Sequence, residues 1–176
     1  MRDVEIRAFL PAADAGTVFD RLIEFERYPE LVDVVRSVVI LSPPGAQPMV
    51  SCWEVYFRNG ILAWTEADRL RRDDLTIEFE QTDGDFDEFS GSWVLEPRDG
   101  GVALTFAAAF DFGVPTLASI IDPVAERVLA ETIQLVLRGL FGPVEFPGGS
   151  VLPGASAVRE GDSAATAAAG TIAGRS

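Results

Sequence analysis

The segment DPVAERVLAETIQLVLRGLFGP, residues 122–143, is the one long helical pattern in the chain, and the stretch before it reads for about a hundred residues almost entirely as strand and turn. Asp122 can cap the helix, Pro123 suits its first position, and Gly142-Pro143 ends it. Val124, Val128, Leu135, Leu137, Leu140 and Phe141 alternate with Glu126, Arg127, Glu131, Gln134 and Arg138, so the helix has an apolar face to bury. A bent antiparallel sheet closed by one late helix offers two apolar surfaces to each other. Concave sheets of this kind can enclose a cavity between them.

Working outward, residues 3–9 alternate Val4, Ile6 and Ala8 with charged neighbours and read as a first strand. After Pro11, Asp14 can cap a short helix carrying Val18, Phe19, Leu22 and Phe25, which ends near Tyr28-Pro29; a second short turn spans Glu30 to Val32. Strands follow at 34–41, 49–57, 61–70, 75–80, 86–96 and 102–112. They are separated by breakers: Pro43-Pro44-Gly45, Asn59-Gly60, Arg72-Asp73-Asp74, Asp83-Gly84-Asp85 and Asp99-Gly100-Gly101. Such short connections permit only antiparallel neighbours, because a parallel crossover needs about a dozen residues. The expectation is an α+β domain over residues 1–142: seven antiparallel strands, two short helices between the first two, and a long C-terminal helix. Residues 143–176 shift to Gly, Pro, Ser and Ala and read as a disordered tail, with a strap through Val144, Phe146, Val151 and Leu152 as the alternative.

Composition excludes several function classes. The chain of 176 residues has no histidine, which removes the commonest general base near neutral pH, the usual base of nucleophilic triads and the commonest metal ligand. All 14 basic residues are arginine against 28 acids, and a net charge of −14 disfavours a phosphate backbone as partner. The single cysteine, Cys52, cannot form an internal disulfide and reads as a small buried hydrophobe. No apolar run reaches the ~18 residues of a membrane span, and no secretory pattern opens the chain, so a cytoplasmic protein is expected.

Beyond these patterns, FERYPELV at 25–32, Trp64 on the fourth strand and FDEFSGSW at 86–93 resemble segments of the StAR-related lipid-transfer superfamily, in particular its bacterial polyketide cyclase/aromatase and coenzyme-Q-binding branch. The resemblance spans residues 3–141. It implies a helix-grip fold, in which the curved sheet wraps around the C-terminal helix, and a hydrophobic ligand held beneath that helix without a cofactor or metal. The implied activity is cyclisation and dehydration of a polyketide-like or polycyclic molecule, with a non-catalytic lipid or quinone carrier as the alternative. Aromatase members place an arginine near the start of the fourth strand; here that stretch is Gly60-Ile61-Leu62-Ala63, flanked by Arg58 and Arg69.

Candidate site residues follow from the strand faces. Trp53, Trp64 and Trp93 lie on three strands that can face one cavity, where each can stack on a planar ring. Tyr28, Phe79, Phe110 and Val128 complete the expected ligand wall, and Ser51, Tyr56 and Gln81 are further polar groups able to reach it. On the fourth strand Trp64, Glu66 and Asp68 share one face and Ala63, Thr65, Ala67 and Arg69 the other, and the pattern leaves open which faces in. In the first case burial raises the pKa of Glu66 and Asp68 and makes one of them a general acid or base for an aldol or dehydration step; in the second Arg69 is the anchor for a carbonyl or enolate and the carboxylates are a solvated edge. Arg69, Arg71 and Arg72 form a cluster that could receive an acyl carrier protein, or a salt-bridged turn among Asp68, Asp73 and Asp74. A monomer or homodimer is expected.

Overall fold

A computed structural model describes residues 1–151. Strand β1 (Arg2–Pro11) leads into α1 (Ala15–Leu22), a 3-10 turn (Phe25–Arg27) and α2 (Tyr28–Leu31). Strands β2 (Val35–Ile40), β3 (Met49–Phe57), β4 (Gly60–Arg71), β5 (Thr76–Gly84), β6 (Glu88–Arg98) and β7 (Gly101–Asp111) then run as a meander into α3 (Pro115–Phe141). The order across the sheet is β1-β7-β6-β5-β4-β3-β2, every pair antiparallel. The sheet curls into a half-barrel around α3, the helix-grip architecture expected from the sequence.

Period-2 patterning builds the concave face. Along β7, Val102, Leu104, Phe106, Ala108 and Phe110 are all buried, and β1 answers them with Leu10, Ala8, Ile6 and Val4 in register. Asp14 caps α1 as its sequence position implies, accepting from the Thr17 backbone N–H at 3.0 Å and from the Thr17 hydroxyl at 2.9 Å. Val18, Phe19 and Leu22 bury one side of α1, and Tyr28 is locked by a 2.6 Å hydrogen bond from its hydroxyl to the Leu22 carbonyl. Gly91 on β6 is paired with Phe79 on β5, and a Cβ there would collide with the Phe79 ring, whose nearest atom would be 2.5 Å away. The glycine beside Trp93 in the FDEFSGSW segment is thus the gap that admits that ring.

Several boundaries differ from the sequence expectation. The Asn59-Gly60 signal marks a turn one residue earlier: Gly60 already pairs with Phe57 in the ladder, and Arg58 takes the positive φ of +55°. Leu75 is not the first strand residue but a turn residue at φ +54°, although it still packs on the core. The larger correction concerns α3, which starts at Pro115 and not at Pro123, so that Pro123 lies inside a helix of 27 residues. Pro115 takes the first-turn position that suits proline. Pro123 has no N–H for the carbonyl of Ser119, but Ser119 is exposed and water can serve that carbonyl. The two parts of α3 differ accordingly. Beyond Pro123, Ala125, Ala130, Ile133, Val136, Leu137 and Leu140 are buried, with Val124 and Leu135 37% and 40% exposed, whereas before it in the helix no apolar side chain is buried and Leu117 and Ile120 are 44% and 57% exposed.

Past α3 the chain stays on the domain through residue 151. Glu145 and Phe9 exchange backbone hydrogen bonds of 2.8 and 2.9 Å, and the Arg138 guanidinium lies 5.4 Å from the centre of the Phe146 ring. The buried Gln134 amide donates to the Gly149 carbonyl at 3.3 Å and accepts from the Ser150 hydroxyl and the Val151 N–H at 3.0 and 3.1 Å. The remainder of the expected tail, 152–176, lies outside the described residues. No helix among the described residues is long and apolar enough to cross a membrane.

This division of α3 has a measurable consequence. Amide protons of residues 116–124 should exchange with solvent at least ten-fold faster than those of 130–140. Pro123→Ala should slow exchange in the first segment and stabilise the protein by about 1–3 kcal/mol, because it restores one helix hydrogen bond. Uniform protection along α3, or a destabilised alanine variant, would contradict the division.

Candidate functional site

Between the concave face and α3 lies a cavity of ≈110 Å³. Its wall is aromatic: Phe25 and Tyr28 from the α1–α2 corner, Trp53 and Phe57 from β3, Trp64 from β4, Phe79 from β5, Phe89 and Trp93 from β6, Phe106 and Phe110 from β7. Ala125, Val128, Leu129, Thr132, Ile133 and Val136 of α3 close it. Two carboxyl side chains, Glu66 and Asp68, face the same space, and no basic residue among the described ones lines it.

Strand register decides which face of β4 turns inward. Trp53 pairs with Trp64 across β3 and β4, and Ser51 pairs with Glu66, so an inward Trp53 brings Trp64, Glu66 and Asp68 inward with it. The two indoles stack with ring centres 5.9 Å apart and planes within 2°. Arg69 therefore points the other way: it is exposed on the convex face, in register with Glu78. The expectation of Arg69 as a cavity anchor is corrected on this ground. Arg71 and Arg72 are likewise outside, paired with Glu78 at 3.3 Å and with Asp20 at 2.7 Å.

Glu66 and Asp68 are only 5% and 1% exposed, and they are organised by named partners. Ser51 donates its hydroxyl to Asp68 Oδ2 at 2.7 Å and accepts the Trp53 indole N–H at 2.8 Å. The Trp64 indole N–H donates to Glu66 Oε2 at 2.7 Å. The carboxyls also contact each other, and Asp68 Oδ1 has no other hydrogen-bond partner. Burial, together with the neighbouring Asp68 charge, pushes the Glu66 carboxyl well above the ordinary carboxylate range, against the opposing pull of the Trp64 N–H. Burial pushes Asp68 up to about 6, moderated by hydrogen bonds from Ser51 and Glu66. Both shifts run toward the protonated form, so burial side by side favours a proton retained on the pair over two ionised carboxylates. The Tyr28 hydroxyl is raised too, first by burial and then by the two carboxyls.

Of the residues expected from sequence, Tyr28, Trp53, Trp64, Phe79, Trp93, Phe110 and Val128 all lie on this wall together with Glu66 and Asp68; Arg69 does not. Ser51 reaches the carboxyl pair and orients Asp68, whereas Tyr56 is exposed on the outer side of β3. Phe86 is not the start of a strand, as its place in the 86–96 pattern suggests. It sits instead in the β5–β6 connection, held by both polar ends of the Gln81 amide at 2.9 and 3.3 Å. From there it stacks on Phe89 and Phe112 at 4.7 and 5.0 Å, closing the end of the cavity. An aromatic residue beside a turn is the only clue to this role in the sequence.

Comparison with known proteins places this architecture. The fold is similar to that of the Thermus thermophilus protein TTHA0849, with a TM-score of 0.70 at 21% identity over 79% of this chain and 94% of that one. It is similar to Zhui aromatase/cyclase from Streptomyces sp. R1128, with a TM-score of 0.66 at 20% identity over 80% of this chain and 92% of the other. A START superfamily protein from Mycobacterium smegmatis aligns with a TM-score of 0.60 at 19% identity over 80% and 92% of the two chains. No curated protein matches the chain in sequence. Residues 11–135 match the family model for polyketide cyclase/dehydrase and lipid transport, which covers most of the helix-grip domain. On that match, the chain belongs to the polyketide cyclase/dehydrase and lipid transport family.

Proposed function

We propose that the protein binds a hydrophobic, polyketide-like molecule between sheet and α3 and promotes its cyclisation and dehydration with the Glu66–Asp68 pair. The observation that carries this reading is a buried carboxyl pair with no cation beside it, in a cavity otherwise lined by aromatic and aliphatic groups. Burying such a pair costs stability, and a passive container for a lipid or quinone would have no use for it. The likeness to an aromatase/cyclase supports the same direction.

The chemistry assigns one role to each carboxyl and balances without a cofactor. In an aldol closure ionised Asp68 takes the proton from a carbon between two ketones, the new carbon–carbon bond forms at a second ketone, and Glu66 gives its proton to that ketone's oxygen. In the dehydration that follows, one carboxyl returns a proton to the departing hydroxyl while the other takes the neighbouring C–H proton, and water leaves. The aromatic wall supplies the remainder, since holding a flexible chain in its reactive fold is worth several kcal/mol, on the order of 7–11 in the best model reactions.

A cavity of ≈110 Å³ suits a single ring better than a polycycle, because drug-sized ligands occupy about 300–1,000 Å³. The residues of α3 on the wall run from Ala125 to Val136; the first turns of the helix, with exposed Leu117 and Ile120, do not line the cavity. Delivery on an acidic carrier protein draws little support from Arg71 and Arg72, which are already committed to Glu78 and Asp20.

Two outcomes test the roles. With a poly-β-ketone thioester mimic as substrate, Glu66→Gln and Asp68→Asn should each lower the rate of ring closure about 100-fold, as expected for loss of general acid or base. Arg69→Ala should leave it within about two-fold. Equal activity in all three variants would overturn the assignment. The second outcome concerns stability. A folded-state carboxyl pKa above its unfolded value means that the native protein binds more protons, so its stability falls as pH rises from about 4 through the folded-state values. For Asp68 the rise to about 6 corresponds to a loss on the order of 3 kcal/mol by pH 7.5. Glu66→Gln should therefore flatten the decline in melting temperature between pH 5 and 7.5; an unchanged slope would show that the pair is not shifted in the folded protein.

A further inference from the structure

Taking the cavity as a binding site, one can ask which hydrogen-bonding groups its wall leaves for a ligand. The polar side chains on the wall are Tyr28, Trp53, Trp64, Trp93, Thr132 and the two carboxyls. Apart from the Trp93 indole N–H, each neutral donor among the uncharged side chains is already committed within the protein. The Tyr28 hydroxyl goes to the Leu22 carbonyl at 2.6 Å and the Thr132 hydroxyl to the Val128 carbonyl at 2.7 Å. The Trp53 indole N–H is spent on Ser51 at 2.8 Å, and the Trp64 indole N–H on Glu66 at 2.7 Å. Among the described residues no guanidinium reaches the wall. Besides that indole, what remains is acceptor capacity concentrated at one spot, where Asp68 Oδ1 has no hydrogen-bond partner outside the carboxyl pair and both carboxyls are more than nine-tenths buried.

We infer that the cavity recognises its ligand through a hydrogen-bond donor on the ligand, an enol or phenol O–H or a protonated amine, seated on the Glu66–Asp68 pair, and that it rejects carboxylates. The inference rests on the binding reading proposed above and narrows it. A poly-β-ketone would be held in its enol form, with the enol O–H on the carboxyl pair. A purely carbonyl-bearing ligand brings no donor to the buried Asp68 Oδ1 and would leave that acceptor unpaired, which costs about 10- to 100-fold in affinity. A carboxylate would bring a like charge against a buried acidic pair in a low-dielectric space. A cation gains twice, from the pair and from the faces of Trp53 and Trp64.

Four probes of one size and shape separate these cases in calorimetric titrations of the full chain at pH 7.5: 4-propylphenol, 4-propylanisole, 4-propylbenzylamine and 4-propylbenzoate. The phenol and the amine should bind at least ten-fold tighter than the anisole, and the benzoate most weakly. Glu66→Gln/Asp68→Asn, which keeps the shape but adds donors, should reduce the phenol preference to within about three-fold and strengthen benzoate. Should the double variant not fold, Glu66→Gln alone serves the same comparison. If the amine exceeds the phenol, the natural ligand carries a protonated nitrogen; if the phenol equals or exceeds the amine, it is a neutral enol or phenol, and either order upholds donor recognition. Equal binding of phenol and anisole, or tightest binding of benzoate, overturns the inference while the binding reading stands. Binding of none of the four would sink the binding reading, and the inference with it.

Discussion

Two carboxyl groups two residues apart on one face of β4 must share a dry space with no cation, and the surrounding structure is arranged to make that tolerable. Ser51 and the indole N–H groups of Trp53 and Trp64 supply hydrogen bonds to the pair or to the group that holds it. Burial raises the pKa of both groups, because retaining a proton is the cheaper alternative to ionising both side by side. Each of those partners depends on register: a slip of one residue between β3 and β4 would turn Trp64, Glu66 and Asp68 to the convex face and destroy the site. The meander of short hairpins is therefore as much a part of the site as the side chains themselves.

The same constraint explains the division of labour in α3. Its C-terminal part is pinned by buried Ile133, Val136, Leu137 and Leu140 against the sheet and by the Gln134 contacts with residues 149–151. Its N-terminal part carries exposed Leu117 and Ile120 and is interrupted by Pro123. One end thus fixes the roof of the cavity over the carboxyl pair, while the other lies outside the cavity wall and stands largely exposed.

The alternation of Val102, Leu104, Phe106, Ala108 and Phe110 makes β7 legible from the chain alone, and the same period marks the other strands, because a half-buried strand writes its face into the sequence. On β4 the indole and the carboxyls are legible as a set sharing one face, but not as the inward set. Hydropathy argues for sending Glu66 and Asp68 out and Ala63 and Ala67 in; hydrogen bonds between strands reverse that preference, and these cannot be read along one strand. Pro123 misleads for a related reason. Proline at a helix start and proline at an exposed point inside a helix look alike in sequence, and only the exposure of Ser119 distinguishes them. Phe86 stays hidden because a turn residue has no periodicity, and its place depends on the Gln81 amide.

The claim on which the rest hangs is that Glu66 and Asp68 share a proton inside the folded protein at neutral pH. Carboxyl carbon chemical shifts of the two residues, followed by NMR from about pH 3 to 9, test it most directly. The account predicts two coupled steps, both above the ordinary carboxylate range, with about one proton still on the pair near neutral pH. Two independent steps near the ordinary value of about 4, leaving both groups ionised well below neutral pH, would contradict it.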